Sequence, residues 1–168
     1  MGIIGGNLGN SLLRLFQPMD NVLSEKECGK NLEDTKLTLF FGDNFYKDIK
    51  GKTIIDFGCG AGKQAVEMAL NGALKVIGVD IQEELLRQAS CLAKKYGVAE
   101  LCSFVTSTTE SADMIISKDS FEHFSEPDVI LRQMGRLLKP GGYIFAAFGP
   151  TWYHPQGGHF FLFFRGLI

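Results

Sequence analysis

The 168 residues are 45% hydrophobic and 21% charged, with a net charge of −2. That composition suits one globular domain able to bury a core without disulfide staples. No block of like charges occurs, which excludes the footprint of a nucleic-acid binder and of an anionic-membrane patch. Cys28, Cys59, Cys91 and Cys102 form no CxxC pair and no metal-ligand spacing, so they read as reduced thiols of a cytoplasmic protein without a metal site.

Residues 1–31 carry five glycines and no sustained period, and are read as a lead segment. Its apolar stretch is broken by glycine and lacks a basic leader, so no signal peptide is expected. MGIIGG also lacks the Ser or Thr of a myristoylation signal. Leu32, Leu37, Phe40 and Phe41 predict a loose amphipathic helix over 32–45. TIIDF (53–57) predicts a strand, and KQAVEMALNG (63–72) a helix closed by Gly72. KVIGVD (75–80) reads as a second strand ending in an acid. In 82–97, Leu85, Leu86, Ala89, Leu92, Ala93 and Tyr96 share one helical face, with acids in the first turn, lysines in the last and Gly97 as the stop. LCSFV (101–105) and DMIIS (113–117) are further strands. Residues 125–142 predict a helix with Ser125 as N-cap, Pro127 in the first turn, Asp128 in capping-box position and a stop at Pro140, Gly141 and Gly142. YIFAAF (143–148) is the last strand, and residues 151–168 form a tail. The closing HFFLFFRGLI is far shorter than the ~20 residues that span a bilayer, so no stable membrane insertion is expected. Strands alternating with helices predict an α/β fold, a doubly wound parallel sheet.

The segment most in need of explanation is IIDFGCGAGKQA (54–65), where Gly58, Gly60 and Gly62 follow an acid, Asp56. The layout places this loop at the carboxyl edge of the sheet, where open α/β sheets bind ligands. Glycine there permits a tight turn and lets a ligand approach bare backbone. Asp80 ends the second strand, where its carboxylate can accept hydrogen bonds from ribose hydroxyls. A phosphate loop is disfavoured, since residue 57 is Phe rather than Gly and Gln64 stands where Ser or Thr is required. A dinucleotide fold wants GxGxxG, whereas the spacing here is GxGxG. An acid two residues before the first glycine would also repel a pyrophosphate, but it suits a ligand carrying an ammonium group.

These residues resemble the class I S-adenosylmethionine-dependent methyltransferases, in particular the small-molecule enzymes of the ubiquinone/menaquinone-biosynthesis-like group. The resemblance rests on DFGCGAG (56–62), VIGVD (76–80), ADMIISKDSFEHF (112–124) and LLKPGGYIFAAF (137–148), together covering about residues 50 to 150. It implies a Rossmann-like fold, with residues 32–150 as the S-adenosylmethionine-binding domain and a small molecule as methyl acceptor. Gly58, Cys59, Gly60 and Gly62 would lie under the methionine and ribose of the cofactor, and Asp56 would orient its ammonium group. Asp80 would hold the ribose hydroxyls and Ile81 would cover the adenine, although Ile81 also reads as an ordinary core residue. Ser117 and Lys118 would offer backbone contacts to the methionyl end. If the acceptor must lose a proton, His123, Asp119 and His154 are the candidate bases, with His123 preferred; a histidine leading into a helix also serves as a packing or capping residue. TWYHPQGGHF (151–160) reads either as a lining of the acceptor pocket or as a polar loop leaving the sheet.

Two departures from the family pattern are expected to matter. No acid follows the third strand to read the adenine amino group; Thr106, Ser107 and Thr108 stand there instead. The family sheet has seven strands ordered 3-2-1-4-5-7-6, and strands 6 and 7 cannot be drawn from residues 149–168. The expectation is a truncated chain with an intact cofactor half, an incomplete acceptor half and an open edge at the fifth strand. A catalytically silent fragment that binds cofactor or a partner chain is the alternative function, and a dinucleotide oxidoreductase a third. The sequence does not specify an oligomeric state.

Overall fold

The computed structural model describes Leu32, Thr35 and residues 37–147. The lead segment 1–31, the tail 151–168 and His154 lie outside the described residues. Two short helices come first, α1 (Leu37–Phe41) and α2 (Phe45–Asp48). The single helix expected over 32–45 is broken at Gly42, which has φ +93° and closes α1 by donating to the Thr38 carbonyl at 2.8 Å.

Five parallel strands follow: β1 (Thr53–Phe57), β2 (Lys75–Val79), β3 (Cys102–Val105), β4 (Ala112–Lys118) and β5 (Leu138–Ala147). They are ordered β3-β2-β1-β4-β5, the Rossmann-like arrangement expected. The chain winds from β1 out to β3 and then returns to β4 on the other side of β1, so the winding reverses between β1 and β4. β1, β2 and β4 are covered on both faces, which is why successive residues such as Ile54–Ile55, Val76–Ile77 and Met114–Ile116 are apolar without alternation.

Successive side chains of β1 enter opposite cores. Ile54 joins Leu37, Phe45, Val66, Met68, Val76 and Met114 on one face, and Ile55 joins Ile77, Ile115, Met134 and Leu137 on the other. Helices α3 (Lys63–Leu70) and α4 (Glu83–Lys95) are amphipathic, and α5 (Pro127–Leu137) supplies Met134 and Leu137 to the second core. Both α3 and α4 end as their glycines predict. Gly72 and Ala73 donate back to Ala69 and Met68 at 3.2 and 3.1 Å, and Gly97 and Val98 to Lys94 and Ala93 at 3.1 and 3.0 Å.

Several expectations are corrected. The N-cap of α5 is Glu126, not Ser125, and no side-chain cap is made; Asp128 instead pairs with Arg132 one turn on. The proline ring of Pro127 drives the preceding residue out of the helical region, which fixes the cap at Glu126. Helix α5 stops at Leu137, and Leu138–Gly142 belong to β5 as a large bulge: Ala112 faces Leu138 but Met114 already faces Tyr143. Pro140 has no N–H for the ladder and Gly141 has φ +80°, so pairing is interrupted there. No helix separates β3 from β4, where residues 106–111 cross without regular structure. Cys59 and Cys102 are free thiols. Among the described residues no helix is long and apolar enough to cross a membrane.

Candidate functional site

At the carboxyl end of β1, beside the point where the winding reverses, the chain turns through Gly58, Gly60 and Gly62, all at positive φ. The turn is fastened from β2: the Gly58 and Cys59 amides donate to the Val79 carbonyl at 2.7 and 3.1 Å. Asp80 fastens it further. One carboxylate oxygen accepts from the Gly60 amide and the other from the Gln82 amide, each at 2.9 Å. A cleft of roughly 530 Å³ opens above, lined by the loop, by Lys118, Asp119 and Ser120 after β4, and by Thr35 and Phe40 from the N-terminal side.

The three glycines do different work. A Cβ at Gly58 would lie 2.3 Å from the Ser120 hydroxyl, and one at Gly62 would lie 2.5 Å from the Cβ of Ala89. At Gly60 nothing stands within 4 Å, so that position is bare toward open space. Gly62 is therefore required by the close approach of α3 and α4, and it does not line the cleft. Gly62→Ala is expected to lower unfolding free energy by roughly 2 to 3 kcal/mol in urea titration, through overpacking and left-handed strain. Gly60→Ala, which meets no neighbour, should cost about 1 kcal/mol.

Beneath the loop lies Asp56, 1% exposed, on the α3 face of β1. Burial pushes its carboxyl up to about 7, the Asp80 carboxylate adds to the shift, and the Ala65 backbone N–H and Lys118 oppose it. Its Oδ2 has no hydrogen-bond partner. A buried acid with an unmet oxygen is costly unless a donor or cation arrives to meet it. The Cys59 thiol is pushed far above its ordinary range by burial and by Asp56 and Asp80, so it stays neutral and non-nucleophilic.

Among the expected site residues, Gly58, Cys59, Gly60, Lys118 and Asp119 line the cleft together. Asp80 is joined to them through the Gly60 amide. Ile81 is 78% exposed, which excludes core packing. The Ser117 side chain is fully buried, with Oγ unpartnered. Asp119 holds φ +54° and its carboxylate pairs with Lys118; an aspartate is among the few residues that tolerate that conformation. His123 is exposed at the end of a 3₁₀ turn (Phe121–His123) and is not among the residues that line the cleft. Thr106 and Ser107 line a separate opening of roughly 750 Å³ with Glu83 and Leu86 of α4. The sequence reading missed Thr35, Phe40, Ala61, Lys63, Gln64 and Ser120. Only Ser120 carried a signal, standing directly after the fourth-strand residues, where its hydroxyl lies 3.1 Å from both the Gly58 and Lys118 carbonyls. Among the described residues no three His, Cys, Asp or Glu side chains are grouped as metal ligands would be.

The family model of a methyltransferase domain matches residues 48–148, from the end of α2 through β5. The chain belongs to the methyltransferase domain family. Its relatives include the ubiquinone biosynthesis O-methyltransferase of Neisseria meningitidis serogroup C, 35% identical over 107 residues, which are 60% of this chain and 45% of that protein. The enzyme of the same name from Chromobacterium violaceum is 33% identical over 119 residues, 67% of this chain and 50% of that one. A solved S-adenosylmethionine-dependent methyltransferase from Aquifex aeolicus superposes with a TM-score of 0.55 at 25% identity, over 73% of this chain and 71% of that one. The chain thus spans about half the length of the curated relatives it matches. For a methyltransferase domain the residues present are chemically apt. Asp56 offers an unmet acceptor to a cation, Gly60 gives open backbone, and Asp80 retains lone pairs beyond the two it has engaged.

Proposed function

We propose that the chain binds S-adenosylmethionine and transfers its methyl group to a small-molecule acceptor, with residues 32–150 as the cofactor-binding domain. The observation that carries this reading is Asp56: a fully buried carboxyl, poised near neutrality, with one oxygen unpartnered below a bare glycine loop. A diphosphate would find repulsion there; an ammonium group finds its counter-charge. The family membership and the O-methyltransferases among the relatives support the same chemistry.

Bound S-adenosylmethionine would supply a methyl group already activated by its sulfonium. The protein's part is then mostly alignment. Asp56 holds the ammonium group, Asp80 the ribose hydroxyls, and Ile81, exposed beside it, the adenine face. Thr106 and Ser107 offer hydroxyls near the end of β3 in place of the missing acid, and Ser117 and Lys118 offer backbone groups at the end of β4. For an acceptor that must lose a proton, Asp119 is better placed than His123, because Asp119 lines the cleft. An oxygen acceptor is the first to try, since the relatives are O-methyltransferases. A cytoplasmic setting fits the free thiols of Cys59 and Cys102.

Calorimetric titration with S-adenosylmethionine and separately with NAD tests the cofactor. Heat of binding from the first alone is the expected result; binding of NAD alone would overturn the assignment. Methyl transfer to phenolic hydroxyls should then be measured, and cofactor binding without turnover on hydroxyl, amine or carbon acceptors would reduce the activity to binding.

A further inference from the structure

The cleft has a wall that the family motifs do not contain. Leu32 and Thr35 are tied over α3 and α4: the Leu32 amide donates to the Tyr96 hydroxyl at 2.7 Å, and the Thr35 amide donates to Glu67 Oε2 at 3.1 Å. Glu67 sits on α3, is 7% exposed, and accepts a second hydrogen bond from the Tyr46 hydroxyl on its other oxygen. Leu37, next along, is fully buried in the core. From the same wall Phe40 reaches across the cleft to Lys118, whose ammonium stands 4.5 Å from the ring centroid. The backbone at Thr35 is thereby fixed; the residue lines the cleft, and its hydroxyl oxygen is buried in that wall without a hydrogen-bond partner.

A buried hydroxyl is rarely left unpaired, and one in the wall of a cleft can turn about its χ1 bond to meet what enters. The elements around the cleft say which end of a ligand it meets. The cleft is lined by Gly58, Gly60, Lys118 and Ser120, above Asp56, whereas Asp80 and Ile81 do not line it. Thr35 is thus on the side of the ammonium-bearing group and away from the ribose. Resting on the cofactor reading above, we propose that the Thr35 hydroxyl donates a hydrogen bond to the carboxylate of the ligand's amino-acid end, with Glu67 as the positioning residue that holds it there.

The test uses two ligands that differ in that end alone: S-adenosylhomocysteine, which carries the amino-acid group, and 5′-methylthioadenosine, which lacks it. In Thr35→Val the affinity for S-adenosylhomocysteine should fall by roughly tenfold, with 5′-methylthioadenosine unaffected. Thr35→Ser should restore it. The ligand-free Thr35→Val protein should melt no lower than the unsubstituted one, because the hydroxyl it loses has no partner to abandon. Glu67→Gln should weaken S-adenosylhomocysteine relative to 5′-methylthioadenosine. Unchanged affinity in Thr35→Val overturns the contact, and an equal loss for both ligands overturns its placement at the amino-acid end. An unchanged ligand ratio in Glu67→Gln overturns the positioning role. If the unsubstituted chain binds neither ligand, the cofactor reading falls and takes this inference with it; binding that ignores residue 35 removes this inference alone.

Discussion

At pH 8, Asp56→Asn should be more stable than the unsubstituted chain and should bind S-adenosylhomocysteine more weakly. The carboxyl is held near 7 in the folded protein against 3.8 as its ordinary value, because burial disfavours its charge. Below about pH 4 it is protonated whether the chain is folded or not, and its contribution to stability is complete. As the pH rises toward 7 the unfolded chain gives up the proton and the folded chain keeps it, so stability is lost across that window and levels off above it. The interval corresponds to roughly 4 kcal/mol. Asparagine is neutral throughout and can still accept from the Ala65 amide, but its NH₂ brings donors into a buried site. The net gain at pH 8 should be about 2 kcal/mol, turning into a loss of about the same size near pH 4, where only the cost of the buried NH₂ remains. Urea titrations at the two pH values measure it, and a gain no larger at pH 8 than at pH 4 would remove the desolvated acid from the account. Binding moves in the opposite direction. An ammonium group prefers the ionised carboxylate, so affinity in the unsubstituted chain should rise with pH up to about 7, and the substituted chain should lose about tenfold or more and be flat over that range. The group that weakens the empty fold is the one that gives the ligand its counter-charge.

The parts of this architecture legible in the sequence are those whose residues answer to their own neighbours. β1 and β2 were legible because strands covered on both faces carry adjacent apolar residues, Ile54–Ile55 and Val76–Ile77, and α3 and α4 because Gly72 and Gly97 close them with local hydrogen bonds. The glycine loop with Asp56 and Asp80 was legible for the same reason, through fixed spacings along the chain. Reading failed where one local signal serves two structures. Lys139, Pro140, Gly141 and Gly142 look like a helix stop, and here they form the bulge by which β5 begins. Ser125 looks like an N-cap until the ring of Pro127 shifts the start of α5 to Glu126. Thr35 and Glu67 were invisible in another way. On α3 alone Glu67 is one more acid of a helix; its hydrogen bonds appear only when Tyr46, 21 residues away, and Thr35, 32 residues away, are folded onto it. That Asp119 lines the cleft and His123 does not was equally hidden, since it depends on the left-handed turn at 119 after β4.

Asp80→Ala should cost the ligand more than one contact. The Asp80 carboxylate already accepts from Gly60 and from Gln82, so it sets the glycine loop and the entry to α4 before any ligand arrives. An ionised carboxylate has about four acceptor sites, which leaves about two for the neighbouring hydroxyls of a ribose. Alanine removes both functions. The lost hydrogen bonds to a charged acceptor are worth on the order of 1 to 3 kcal/mol, and the loop amide at Gly60 is left to find another partner. Affinity for S-adenosylhomocysteine should therefore drop by roughly 10- to 100-fold. Asp80→Asn, which keeps one acceptor oxygen, should fall between. A second consequence separates this account from simple loss of shape. Asp80 is one of the causes that hold the Asp56 proton on, so removing its charge lets Asp56 ionise at lower pH. The pH at which residual binding reaches half its maximum should move down in Asp80→Ala and Asp80→Asn alike, since both lack the charge. Calorimetric titrations between pH 5.5 and 8, a range of about one to two units around the Asp56 value, read affinity and midpoint together. Unchanged affinity would remove the ribose contact. Reduced affinity with an unmoved midpoint would instead mean that the two acids act independently, with Asp56 governed by burial alone.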